Sequence, residues 1–350
     1  MNDRRVRVGI TGMTGLALVA LLLLVSHFTA VAGPRPTAGA EQSLASPAAF
    51  SSATVWSSGW VPIAQGTCRL FNHNLGADPN DYVVELWFLD TDEGIGINRA
   101  NYGGMELQGK WHGGHWQQLT ASTIRVCRQQ DDRAADRIYV RVSIPPNAPE
   151  YDSGWTDLSI GTTVFTHGLG IAPTDLTVSL WFSGTDRGIH QFAYGGLALD
   201  LLQKRLGGHW SNLTEDTVRV TRHLDDTDVE QVRVVVVHAD RPAYDSLEAL
   251  AGWQPIAPHT EFTIAHNLNW NPTMMLVRGE CLSSTLGIHH LLSGGNHDWF
   301  VGMQGAHLQN LTDSTVRFVR RPDDQVCPQF RVRIWKRTAR TYLPLVVRNL

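Results

Sequence analysis

Along most of the chain, apolar and polar side chains alternate with period two. Tyr82, Val84, Leu86 and Phe88 interleave with Asp81, Val83, Glu85 and Trp87, and Leu176, Val178, Leu180 and Phe182 interleave with Asp175, Thr177, Ser179 and Trp181. The segments Ile138, Val140, Val142 and Phe330, Val332, Ile334 behave alike. This parity predicts half-buried strands, and Gly, Pro and Asp-Asp clusters punctuate them at the short spacing of antiparallel turns. No segment carries a convincing helical stripe.

The strands recur as a set. Gly59-Trp60, Gly154-Trp155 and Gly252-Trp253 open three segments about 95 residues apart. Each runs on through His73-Asn74-Leu75, His167-Gly168-Leu169 or His266-Asn267-Leu268, then Pro79, Pro173 or Pro272. Next come Gly94-Ile95, Gly188-Ile189 and Gly287-Ile288, a Gly-Gly pair, then His115, His209 and His307. Arg125, Arg219 and Arg317 follow, and the pairs Asp131-Asp132, Asp225-Asp226 and Asp323-Asp324 close the units. Such a period is far longer than a solenoid repeat and fits the roughly 100 residues of a small sandwich. The predicted fold is therefore all-β: three tandem antiparallel β-sandwich repeats over 59–145, 154–240 and 252–337. The short linkers predict that the units touch, packed about an approximate three-fold axis.

Ahead of the repeats, Arg4, Arg5 and Arg7 precede an apolar run from Gly15 to Val25 and the small-x-small sequence Ala30-Val31-Ala32. Residues 1–32 read as a secretory signal peptide, the apolar run being too short to span a bilayer. Residues 33–58, rich in Ala, Pro, Ser and Thr, read as a flexible linker, and 338–350 as a C-terminal tail. Export to the cell surface or medium would place the four cysteines in an oxidising compartment. Cys68 and Cys127 fall in one repeat and Cys281 and Cys327 in another, so the expected bridges lie within repeats and the second repeat has none.

The formal net charge is −4, and losing the leader makes the remainder more acidic. That sign argues against nucleic acid as a partner, because phosphate binding needs a basic surface. No nucleophile elbow, phosphate loop or dinucleotide fingerprint occurs, and adjacent aspartates in an extended chain point to opposite sides instead of facing one another as glycosidase carboxylates must. An enzyme is not expected.

A Gly-Trp opening, a Pro ahead of an alternating strand and a closing alternating strand resemble the H-type lectin domain at the level of strand order. The resemblance implies a sugar-binding sandwich that works as a trimer, which three tandem copies would reproduce in one chain. It carries over no sugar-binding residue, and this chain departs from the pattern in its Gly-rich loops around Gly103-Gly104 and Gly113-Gly114.

Candidate ligand-binding residues come from the residues themselves. Trp87 and Trp181 sit on the polar parity of their strands, where an exposed ring would suit the apolar face of a sugar and a covered one would mark a contact between repeats. His115-Trp116 and His209-Trp210 each place a donor beside an aromatic plate. Glu280 and Leu308 replace the corresponding tryptophans in the third repeat. His73, His167 and His266 share the parity of core positions and read as structural. No cofactor is required; Asp90 and Asp92 offer the alternating oxygens of a calcium loop without the full twelve-residue pattern. The function this predicts is glycan-binding or adhesive, at a glycan or cell-surface partner, with a structural envelope or fibre role as the alternative.

Overall fold

The computed structural model describes residues 55–99, 106–107, 110–145, 147–191, 196–197, 205–290, 296–298 and 302–337. The proposed leader, nearly all of the linker and the tail lie outside the described residues. No helix among them is long and apolar enough to cross a membrane.

In the first repeat, the strands Val55–Ser57, Val61–Pro62, Val83–Leu89, Ile97–Asn98 and Arg137–Ser143 make one antiparallel sheet. Cys68–Asn72, Gly114–Gln117 and Thr123–Arg128 make a second. The other repeats reproduce both, and each repeat adds a two-stranded ribbon. Folding begins earlier than the sequence predicts, since Val55–Ser57, inside the expected linker, pairs with Arg137–Ser143.

The expectation of three tandem β-sandwiches is overturned. The six small sheets, three of five strands and three of three, are arranged as the blades of a six-bladed β-propeller, and residues 49–350 form one compact unit. Hydrogen bonds between repeats show the physical reason. Gln118 and Leu119 of the first repeat donate to the carbonyls of Arg187 and Ile189 in the second. Asn212 and Leu213 of the second donate to Leu286 and Ile288 in the third, and Asn310 and Leu311 of the third return to Ile95 and Ile97 in the first. The ladder closes on itself. These bonds also show that Gly96-Ile97 of the first repeat, and not Gly94-Ile95, corresponds to Gly188-Ile189 and Gly287-Ile288.

The cores are shared in the same cyclic order. Trp60, Trp87, Ile97 and Tyr139 pack into the apolar cluster of the third repeat. Trp155, Trp181 and Ile189 pack into that of the first, and Trp253, Leu282 and Ile288 into that of the second. A period-two pattern identifies two faces of a strand but not what covers the second one. Here the polar-parity face, which a free-standing sandwich would leave wet, lies against the neighbouring repeat.

Cys68 pairs with Cys127 and Cys281 with Cys327; the first bridge joins residues directly opposite in the ladder. Disulfides form and persist in oxidising compartments, so the expected pairing is consistent with export.

Candidate functional site

Each repeat builds the start of its Gly-His strand in the same way. The last aspartate of each pair is fully buried, and its carboxylate accepts the backbone N–H of the glycine that opens this turn: Asp132 from Gly113, Asp226 from Gly207 and Asp324 from Gly305. An arginine four residues earlier holds that carboxylate. Arg128 Nε lies 2.7 Å from Asp132 and Arg320 Nε 2.6 Å from Asp324, while Arg222 reaches Asp226 at 3.5 Å. The same guanidinium groups donate to the carbonyls of Ile63, Leu158 and Ile256, stitching in the first strands of the repeats. Adjacent aspartates in the sequence read as turns, whereas the second of each pair anchors this clamp. The missed signal was an arginine at i and an aspartate at i+4 in all three repeats.

The glycine that follows has no room for a side chain in the first two repeats. A Cβ on Gly114 would lie 2.6 Å from the Cys127 carbonyl and 2.9 Å from the Phe88 ring, and one on Gly208 would lie 2.9 Å from Phe182. The third repeat has Ala306 here, and Cys281 replaces the phenylalanine. A smaller neighbour leaves room for the methyl group.

All six ligand-binding candidates are held inside the ring. Trp116 is 2% exposed and Trp210 4%, each packed in the core of its own repeat, and Trp87 and Trp181 are covered by a neighbour. The Arg99 guanidinium stacks over Trp87 at 4.3 Å and Arg233 over Trp181 at 5.3 Å. His115 is buried and bonds Gln117 at 3.0 Å; burial lowers its pKa to about 3, helped by His190 and Arg187 across the repeat boundary. Burial likewise takes His209 to about 3, with His289 adding to it, and His307 to about 4. These imidazoles are neutral packing groups at ordinary pH and offer no open plate-and-donor pair to a sugar.

His73, His167 and His266 are buried, and each Nδ1 accepts the N–H of the leucine two residues on, at 3.3 to 3.4 Å. The residue between them turns left-handed, with φ of 51° at Asn74, 62° at Gly168 and 52° at Asn267. That explains the alternation of Asn and Gly there.

Asp90, Asp92 and Asp136 bring carboxylate oxygens within 4.8 Å of one another, a set that could hold a metal ion. Its oxygens already close the loop: Asp90 accepts N–H groups of Glu93 and Ile95, and Asp136 accepts the Thr91 N–H and hydroxyl. The hydrogen bond to Asp90 raises the pKa of Asp92.

Further basic groups brace the repeats against one another. Arg331 donates to Thr174 O at 2.6 Å and Arg333 to Leu176 O at 2.9 Å, while Arg233 reaches Asn80 O. Glu280 accepts Arg333 and lies 3.9 Å from Arg331, and Glu85 pairs with Arg337 of the third repeat. Position 280 thus exchanges an aromatic contact for an ion pair and remains part of the packed interior. No protein-family model, curated protein or solved structure matches the chain, so the H-type lectin resemblance rests on the order of residues alone.

Proposed function

We propose that the protein is an exported, non-catalytic adhesive scaffold, a closed single-chain ring that presents a threefold-repeated outer surface to a cell-surface or matrix partner. The observation that carries this reading is the cyclic ladder of backbone hydrogen bonds together with the burial of every tryptophan–histidine candidate inside it. Aromatic residues committed to packing favour a rigid platform over pockets in each repeat. Repetition favours multivalent attachment, in which linked weak contacts gain avidity without a deep cleft. The propeller architecture is compatible with binding or adhesive roles, and the two disulfides suit an oxidising destination.

Glycan recognition is the second reading. It is favoured by the arginines gathered where repeats meet, Arg99, Arg278, Arg331 and Arg333, and requires a surface other than the six residues above. The test is retention of the purified full-length protein on glycan arrays and matrix-coated surfaces of graded ligand density. Adhesion predicts retention that rises steeply with density and survives competition by free monosaccharide. Inhibition by one free sugar would favour the glycan reading, and absence of retention on every surface would remove both.

A further inference from the structure

The three repeats do not contribute equally where they meet. The positions following the paired residues Asn98, His190 and His289 are Arg99, Gln191 and His290, and Glu85, Ser179 and Arg278 correspond on the long strands. Glu85 is neutralised by Arg337. Arg278 reaches into the second repeat, donating to Val178 O and Ser179 Oγ, both at 3.3 Å. Arg99 lies on the Trp87 ring and donates to Val277 O at 3.0 Å, beside Arg278. His290 stacks on Trp210, the rings 10° from parallel.

Neither Arg99 nor Arg278 has a carboxylate within ion-pair distance among the described residues; the nearby Glu280 is engaged by Arg333 and Arg331. The three basic side chains are half-buried, so they are crowded but not sealed from solvent. Burial lowers Arg99 and Arg278 to about 10, Arg99 adding to the effect on Arg278, and burial with both arginines lowers His290 to about 3. Partly desolvated like charges are costly unless compensated.

We propose that Arg99, Arg278 and His290 form an oxyanion-binding site at the junction of the three repeats, taking a sulfate group or carboxylate. Two planar guanidinium forks from different repeats suit the paired oxygens of such a group, and the neutral His290 adds an N–H donor. The Trp87 and Trp210 rings bracket the cluster and fix its geometry. The ligand would tie the first and third repeats together against the second. This inference is independent of the adhesive reading, since a bound anion could be inorganic or the acidic group of a glycan.

Isothermal titration of the full-length protein with sodium sulfate, and separately with a sulfated glucosamine disaccharide, tests it, with sodium chloride as the ionic-strength control. The expected result is saturable binding at one site per chain, weakened at least about tenfold in both Arg278→Gln and Arg99→Gln and unchanged in Arg219→Gln, an exposed arginine elsewhere. Binding of both ligands identifies a free anion as sufficient, and binding of the disaccharide alone identifies an anion presented by a sugar. No saturable binding of either, or equal binding by wild type and variants, overturns the site. Should the variants fail to fold, wild-type crystals soaked in selenate give the answer: an anomalous peak between Arg99 and Arg278 supports the proposal, and selenate found only elsewhere, an adventitious ion only, rejects it.

Discussion

Gly287 of the third repeat lies against Asn212 of the second so closely that a Cβ there would stand 2.9 Å from Asn212 Oδ1 and 3.3 Å from its Cα. Gly287 has φ of 56° and Asn212 of 47°, so two left-handed residues face each other where the ladder passes between repeats. Gly96 and Asn310 repeat the relationship, a Cβ on Gly96 falling 2.7 Å from Asn310 Oδ1. Gly287→Ala should cost about 1–3 kcal/mol from strain and crowding. Chemical denaturation reads the change, and a loss below a few tenths would show that the repeat boundary yields easily.

Removing the carboxylate of the buried clamp should cost more than removing a surface pair. Asp132→Ala leaves buried Arg128 with only the more distant Asp136, 4.0 Å away, and Gly113 without its acceptor, so a loss of about 3–5 kcal/mol is expected. Arg317→Ala, which breaks the exposed pair with Glu261, should change stability by less than about 1 kcal/mol. Equal losses in thermal melts would contradict the role assigned to the clamp.

Acid should destabilise the ring through its histidines. His115, His209 and His290 have folded pKa values near 3, below the unfolded value of about 6.5. The unfolded chain therefore binds protons that the folded chain refuses, and stability is lost as pH falls below about 6.5, continuing until the folded values are reached. Each such histidine contributes a slope of up to about 1.4 kcal/mol per pH unit. Denaturation between pH 7 and 5 should show a shallower slope for His115→Gln than for wild type, measured as the change from each protein's own stability at pH 7.

A single repeat should not fold alone. Expressing residues 154–240 would remove Trp253, Leu282 and Ile288 from the cluster they cover and expose Trp181. Circular dichroism and tryptophan emission should report an unfolded or aggregating fragment, whereas a cooperative melt from this fragment would restore the idea of independent domains.

Trp116→Ala and Trp210→Ala should fail by unfolding before any effect on binding can be read. Each ring is almost wholly buried, and truncating a core tryptophan costs roughly 3–5 kcal/mol. Folded variants with altered adhesion would instead return these rings to a direct role in recognition.

The strands, the threefold internal repeat and the grouping of the cysteines are legible in the sequence, because each depends on alternation, recurrence or membership of one unit. The sequence also carried the clamp, in the spacing of Arg128, Arg222 and Arg320 from Asp132, Asp226 and Asp324, although adjacent aspartates alone read as turns. What covers the second face of each sheet was decided only in three dimensions. Trp87 and Trp181 have the parity of exposed plates, yet each is buried in the core of a neighbouring repeat, and period two is the same whether water or protein lies on that side. The basic junction was hidden for a related reason. Arg99, Arg278 and His290 come from distant segments, and only closure of the ring brings their charges together.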